Sequence, residues 1–358
     1  MAVKKGTDGI WYFAVRYKDP FGKTKQKKIR NKNWIKRDAL NAERDFLLSV
    51  KDGVSTITFD ELFKLYIDER SNKIKRKSIY NITMLVNKQI SPIFGEMPID
   101  KITLGHIQKW QNSLLNSEYS NRYTYKIQEQ FKTVINFGLR YEYIDKNPFK
   151  IPIVQNRNEF KKEMLFWEQE EWNQFIQFVD NPVYFALFST LYWTGIRIGE
   201  AQGLQIKDFD YENKEIHITK TYNPIHKELT TPKTQNSYRT VTITDNLTKL
   251  LEGLKQRYKV YVGYNDECFL FGFDEPLANN TIRRYFNNYI ELANVKKIRI
   301  HDLRHSHVSL LRHHGFDRYE VAKRLGHTPA MVDNTYTHWF EKSQKEMRDK
   351  LNSLDKLV

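Results

Sequence analysis

The apolar residues of this chain keep one period near its start and another over most of its length. In "IWYFAVRY" (Ile10–Tyr17), Trp11, Phe13, Val15 and Tyr17 alternate with Tyr12, Ala14 and Arg16. That two-residue period belongs to a strand with one apolar face. From Thr58 the period lengthens: Phe59, Leu62, Phe63 and Tyr66 fall at i, i+3, i+4 and i+7, one stripe of a helix. The switch separates parts that pack by themselves, and 358 residues suffice for two or three domains, each with its own core.

The first part reads as strands followed by a helix. "DPFG" (Asp19–Gly22) has turn chemistry, and the return strand "KTKQKKI" sets Lys23, Lys25 and Lys27 on one face. Residues 36–50 read as a helix with Leu40 and Leu47 on one side. A three-stranded sheet plus helix is therefore expected over residues 1–52. Its apolar face would rest on the helix. Its cationic face, with Arg16, Lys18, Lys23, Lys25 and Lys27, would meet either a DNA groove or water.

Residues 58–150 read as an all-helical domain of four or five helices. "TFDE" predicts a capping box with Thr58 as N-cap and Glu61 at N3. "RSNKIKRKS" opens the next helix with the basic run Lys75, Arg76 and Lys77. Ile107, Trp110 and Leu114, then Ile127, Phe131, Val134 and Ile135, mark further helices, and "KNPF" (Lys146–Phe149) stops the last. "IPIVQNRNEFKKE" (151–163) lacks a helical period and suits a linker. Residues 164–358, beginning near "FWEQEEWNQFIQFVD", are mostly helical, with strands at "EIHIT" and "RTVTIT" around "TPKTQNS". The fold class expected is multidomain and mainly α: a small N-terminal β-sheet plus helix, an all-α domain, and a mostly α third domain with a small antiparallel sheet.

Charge narrows the function. Lys and Arg number 58 against 43 Asp and Glu, a net +15, and the pI is 9.5. Residues 1–50 alone carry 13 Lys/Arg and 5 Asp/Glu, over half of that excess. Concentrated positive charge attracts polyanions, nucleic acid foremost in a cytoplasm; the plainer reading is a solubilising face. No apolar run approaches the roughly 20 residues that cross a bilayer, and "MAVKKGTDGI" lacks the apolar segment of a secretory signal. A single cysteine, Cys268, excludes a disulfide framework and a multi-cysteine zinc site. The expected setting is reducing and cytoplasmic, with no membrane.

"HDLRHSHVSLLRHHG" (His301–Gly315) packs five of the ten histidines into fifteen positions. Such a cluster can hold a metal, cover a wet helix face, or hold negative charge. Zinc pairs such as H-E-x-x-H need carboxylates or cysteines to complete the shell. Here acids are few and Arg304 and Arg312 repel a cation, so no metal is expected. A wet helix accounts for His313 and His314, but not for His301 and Arg304 lying three apart on one face. A cationic pair beside a helix start suits an anion. "TGIRIGE" (Thr194–Glu200) sets Arg197 after the apolar run "YFALFSTLYW", either as an ion pair with Glu200 or as a fixed anion ligand. "LGHTPAMVDNTYTHW" (Leu325–Trp339) holds His327 and, nine residues on, Tyr336. "TPKTQNSYR" offers Lys233 in a turn, where one lysine is usually just solvated.

In sequence order, G-x-R-x-G-E, a lysine between strands, H-x-x-R, L-G-H and a tyrosine nine residues later resemble the tyrosine recombinase (phage integrase) family. The resemblance covers roughly residues 58–345, and the basic N-terminal strands look like the arm-binding domain of integrases from temperate phages and integrative elements. It implies a site-specific recombinase, an enzyme of phosphodiester transesterification, that integrates and excises a mobile element through a covalent 3′-phosphotyrosyl intermediate and a Holliday junction. Tyr336 would be the nucleophile, Arg197, Arg304, His301 and His327 the phosphate ligands, and Lys233 the acid that protonates the departing 5′-oxygen. The neighbours Thr234, Ser237 and Arg239 follow the family's pattern, and Arg239 joins the residues expected to touch DNA. The opening of the third domain departs from that pattern, with Trp167 where a capping Thr stands. No cofactor is implied.

The resemblance also implies partners. Residues 1–52 would bind arm sites of the attachment DNA, residues 58–150 its core site, and residues 164–358 would hold the catalyst in a homotetramer on DNA. A host bending factor and an excisionase would assist, at the nucleoid of a bacterial host. Met347, Leu351, Leu354 and Val358 form one apolar stripe, so residues 341–358 read as a C-terminal exchange helix that docks on a neighbouring protomer, or else packs on its own domain. Rival readings are a type IB topoisomerase, which reseals the strand it cut, and a non-catalytic DNA-binding regulator, which has no use for the nucleophile.

Overall fold

The early alternation becomes a three-stranded antiparallel sheet in the computed structural model, which describes residues 3–18, 24–51, 57–144, 146–155, 164–232, 234–336 and 348. The chain forms two compact units, residues 1–161 and 162–358. In the first, β1 (Val3–Lys5), β2 (Trp11–Lys18) and β3 (Thr24–Arg30) lie in that order, followed by α1 (Lys36–Lys51). Phe13, Val15 and Phe46 form the core of sheet and helix, with Tyr17, Ile29 and Trp34 around them.

The register corrects the expected cationic face. Phe13 is paired with Ile29, Val15 with Lys27 and Tyr17 with Lys25. Residues directly opposed in a sheet share a face, so Lys25 and Lys27 extend from the apolar side. The physical reason is Ile29, the one apolar residue of β3. Seating it against Phe13 carries its odd-numbered neighbours to the same face. The opposite face presents Lys4, Arg16, Lys28 and Arg30. Of these, Lys28 reaches 4.4 Å over the Tyr12 ring, and Arg30 pairs with Asp8 at 3.2 Å. Lys18 closes β2, and Lys23 lies outside the described residues. Helix α1 also rotates away from expectation. Among its described side chains Ala39 and Phe46 are buried, and Leu40 and Leu47 are exposed. The Phe46 ring, 5.9 Å from Phe13 and 5.3 Å from Tyr17, sets that rotation.

Five helices follow: α2 (Phe59–Ser71), α3 (Arg76–Gln89), α4 (Ser91–Phe94), α5 (Leu104–Leu115) and α6 (Asn121–Arg140). The capping box forms, with Thr58 N–H donating to Glu61 Oε2 at 3.0 Å and Glu61 N–H donating to Thr58 Oγ1 at 3.3 Å. The predicted stripes are buried together around Phe131, whose ring meets Phe59, Trp110 and Phe149 edge-on. Lys75, Arg76 and Lys77 stand exposed at the start of α3. Helix α6 ends at Arg140, ahead of "KNPF", and Glu142 follows with φ of 58°.

The second unit contains α7 (Gln169–Ile176), α8 (Pro182–Thr194), α9 (Ile198–Gln202), β4 (Phe209–Asp210), β5 (Glu215–Ile218), β6 (Thr221–Asn223), β7 (Glu228–Thr230) and β8 (Arg239–Thr242). After them come α10 (Asp245–Tyr258), α11 (Asn279–Ala293), α12 (Asp302–His313), α13 (Arg318–Leu325) and α14 (Pro329–Tyr336). Strands β4, β5 and β8 form one antiparallel sheet, and β6 and β7 form a separate hairpin. Helix α8 is buried on nearly every side, as its unbroken apolar run requires. The cap of α7 is Glu168, one residue beyond the expected position. Trp167 is instead fully buried, donating from its backbone to Ser306 Oγ and from Nε1 to the Lys296 carbonyl. A smaller apolar cluster (Val308, Val321, Ala322, Leu325 and Val332) joins α12, α13 and α14 apart from the main core. Among the described residues no helix is long and apolar enough to cross a membrane. The apolar stripe from Met347 to Val358 lies outside the described residues.

Candidate active site

Two left-handed glycines set the geometry of the motifs. Gly195 ends α8 with φ of 66°, and Gly326 ends α13 with the same value. Glycine adopts this conformation without the steric cost of a Cβ. A Cβ at Gly195 would lie 2.6 Å from the His307 ring, and one at Gly326 would lie 2.8 Å from the Asn236 carbonyl. The second turn reverses the chain so that His327 N–H reaches back to the Ala322 carbonyl at 2.9 Å.

Arg304 gathers three of the motifs. It is 2% exposed. Its Nη1 donates to the Gly195 carbonyl at 2.6 Å, and its Nη2 donates to the Leu325 carbonyl at 2.8 Å and to His327 Nε2 at 2.9 Å. A guanidinium only donates, so His327 Nε2 accepts and the ring proton sits on Nδ1. That atom is buried without a partner among the described residues, an unspent donor. Burial, then the charges of Arg304, Arg197 and Arg239, pull the His327 pKa down to about 3. His301 precedes α12 with its surface partly open to solvent. Lost hydration, then Arg304 and more weakly Arg197, lower its pKa too. Arg304 and Arg197 thus act on both rings, and Arg304 bonds directly to His327 and to the Gly195 carbonyl two residues before Arg197.

Arg197 is the residue before α9. Its N–H donates to Glu200 Oε2 at 2.9 Å and its Nη1 to Oε1 at 2.8 Å. Its side chain remains 35% exposed, so the ion pair and an open guanidinium coexist. Glu200 also receives Arg239, with Nη2 to Oε2 at 2.8 Å and Nη1 to Oε1 at 3.3 Å. Arg239 further donates to the carbonyls of Arg324 and Ser237, and its side chain is 5% exposed. Arg239, expected from the sequence to meet DNA, is thus turned inward among the described residues. A guanidinium this thoroughly engaged inside the unit acts as a strut between β8, α9 and α13.

The two remaining expected residues are only partly placed. Lys233 lies outside the described residues, between β7 and a short turn in which Thr234 and Ser237 hydroxyls stand 3.0 Å apart. Tyr336 is the last residue of α14; its side chain lies outside the description. Sequence reasoning missed Arg324, whose guanidinium enters the same unit beneath the Gly195 turn. The "RLGH" spelling of the motif was its only signal.

These titrations predict acid sensitivity. Burial alone would raise the Glu200 pKa, but the Arg239 hydrogen bonds and the charges of Arg239 and Arg197 win and bring it to about 2. Its stabilisation is complete above the unfolded value near 4.5 and is lost as pH falls through about 2. His305 is held at about 4, by burial first and His301 second. For His305 and His327 the unfolded chain takes up protons before the folded one does, so stability falls as pH drops below about 6.5. The midpoint of thermal unfolding should therefore decline from pH 6.5 downward and more steeply below 4.5. A flat profile between 6.5 and 4 would contradict the buried neutral rings.

Comparison with known proteins places the chain in a family. The chain matches the arm DNA-binding domain over residues 1–50, the phage integrase N-terminal SAM-like domain over 58–115 and the phage integrase family over 166–343. The ICEBs1 integrase of Bacillus subtilis (strain 168) is 28% identical over an alignment of 375 positions, covering 99% of this chain and 100% of the relative. The integrase of Staphylococcus phage L54a is 33% identical over 176 residues, 45% of this chain and 49% of its own length. The Tn1549 transposon integrase, solved with a circular intermediate DNA, has the same fold at a TM-score of 0.66 and 20% identity, over 82% of this chain and 99% of that one. Lambda integrase, solved as a tetramer on a Holliday junction, follows at 0.60 and 17% identity, over 91% and 95%. The chain is a tyrosine recombinase and belongs to the phage integrase family.

Proposed function

We propose that this site-specific recombinase integrates and excises a mobile element by exchanging DNA strands through tyrosine esters. The phenolic oxygen of Tyr336 attacks the scissile phosphorus, a 3′-phosphotyrosyl bond forms, and the bond to the 5′-oxygen breaks. One phosphate ester replaces another, so no external energy source is consumed. Arg197 and Arg304 neutralise charge on the nonbridging oxygens of the five-coordinate transition state. His327, bonded to Arg304 through Nε2, adds a further phosphate ligand, and His301, neutral near pH 7, takes the phenolic proton. Lys233 delivers a proton to the departing 5′-oxygen. The observation that carries the reading is the Arg304 guanidinium, where the Gly195 turn, the end of α13 and His327 meet.

Division of labour follows the apolar cores: residues 1–52 for arm sites, 58–150 for the core site, 151–163 as linker and 164–358 for catalysis. On the first of these, Arg16 and Lys28 of the outer face are the DNA contacts favoured by the register. The assembly is a homotetramer on double-stranded DNA in the cytoplasm of a bacterial host, assisted by a bending factor and an excisionase. Incubating the protein with a nicked suicide duplex and mapping the DNA-linked peptide tests the chemistry. The peptide should carry Tyr336; attachment elsewhere removes the assignment.

Two further outcomes follow. Arg197→Ala should lower the single-turnover rate of covalent capture by about 10²–10³-fold, roughly 2.7–4 kcal/mol, by analogy with oxyanion-hole donors. Capture at the parental rate would exclude Arg197 as a phosphate ligand. Deleting residues 344–358 should preserve duplex binding and impair recombination between two sites. Unimpaired recombination by the shortened chain would refute the exchange helix.

A further inference from the structure

Beneath the Gly195 turn lies a pair of side chains with no place in the chemistry above. Arg324, on α13, donates from Nε to His307 Nε2 at 3.0 Å and from Nη2 to the Trp193 carbonyl at 3.0 Å. Its own carbonyl receives Arg239 Nε at 2.8 Å. Thr242 Oγ1 lies farther off at 3.5 Å. Among the described residues no carboxylate partners this guanidinium, a costly arrangement for a half-buried charge. His307, on α12, is 1% exposed, and its ring edge is the surface that a Cβ at Gly195 would strike. We propose that His307 and Arg324 form a clip that positions Arg197: the imidazole supports the Gly195 turn while Arg324 anchors the Trp193 carbonyl of α8 to α13.

The clip works because each partner has one available role. A guanidinium cannot accept, so the His307 ring must be neutral at Nε2 to receive it. Burial and the adjacent Arg324 charge keep His307 well below the ordinary histidine pKa. Two arginines then brace one turn, Arg304 at the Gly195 carbonyl and Arg324 at the Trp193 carbonyl. Arg197 follows two residues later, so a shift of that turn moves its guanidinium directly. A misplacement of about 1 Å at a reacting group can cost about 10²-fold in rate.

The inference rests on Arg197 being a phosphate ligand, as proposed above. It is tested with the full chain by single-turnover covalent capture at saturating nicked duplex, with the duplex Kd measured alongside. His307→Leu and Arg324→Gln should each slow capture by about tenfold or more, with Kd unchanged. His307→Gln, which restores an acceptor, should recover most of the rate, and the double variant should be no slower than the slower single one. The clip is refuted if His307→Leu captures at the parental rate, if His307→Gln is as slow as His307→Leu, or if the loss appears in Kd instead. Should His307→Leu not fold, Arg324→Gln decides alone: slow capture at parental Kd supports the clip, and parental capture refutes it. Arg197→Ala in the same assay keeps the two readings apart. If that variant captures normally, the ligand assignment has failed, whatever His307 does.

Discussion

Tyr336→Phe should abolish covalent capture of a nicked duplex and leave duplex binding and the thermal midpoint unchanged. The substitution removes one oxygen from the last residue of α14. No other side chain is proposed to attack the phosphorus. A free phenol has a pKa of about 10, so attack near pH 7 relies on surrounding cations that favour the ionised form. Those cations stay in place in the variant, because Arg304 and Arg197 are held by carbonyls and by Glu200. The loss therefore falls on the chemical step alone. A DNA-linked protein band from the Phe variant would show that another residue is the nucleophile.

Glu200→Ala should destabilise the second unit by about 3–5 kcal/mol, the usual consequence of leaving one member of a buried ion pair behind. The carboxylate is 4% exposed and takes hydrogen bonds from two arginines. Without it, Arg239 keeps its charge inside the unit, and the Arg197 N–H at the start of α9 loses its acceptor. Hydrogen exchange resolved by peptide would localise the effect, since two units need not unfold together. Protection should fall in α8, α9 and β8 and stay unchanged in α2 to α6. A loss under 1 kcal/mol would mean that water or another acidic group replaces the carboxylate. Glu200→Gln, which keeps acceptors without charge, should fall between.

Much of the site was legible because it is punctuated by residues with little freedom of substitution. Glycines at 195 and 326 mark the turns, and arginine and histidine at fixed offsets mark what those turns bring together. Helical stripes were legible for the same reason as the capping box at Thr58: period and caps are local. What escaped is decided by partners distant in sequence. The face taken by Lys25 and Lys27 depends on where Ile29 seats against Phe13. The inward turn of Arg239 depends on Glu200, 39 residues earlier. Nothing in the sequence spacing ties Arg324 to its partners, His307 and the Trp193 carbonyl. Trp167 stands where a capping Thr is expected, yet the cap is Glu168, and the Trp167 indole is committed to Lys296 and its backbone to Ser306.

The separate apolar cluster under α13 and α14 has a thermodynamic consequence. Five small or medium side chains hold these helices to α12, whereas thirty-three buried residues knit the main core, into which α8 is built. Since stability scales with apolar area withdrawn from water, this cluster contributes less than the main core, and α13 is fastened to the body chiefly by the arginine hydrogen bonds to the Leu325, Arg324 and Trp193 carbonyls. Tyr336, the proposed nucleophile, thus lies on a helix with little apolar anchorage among the described residues, while the turn that carries Arg197 is built onto the main core.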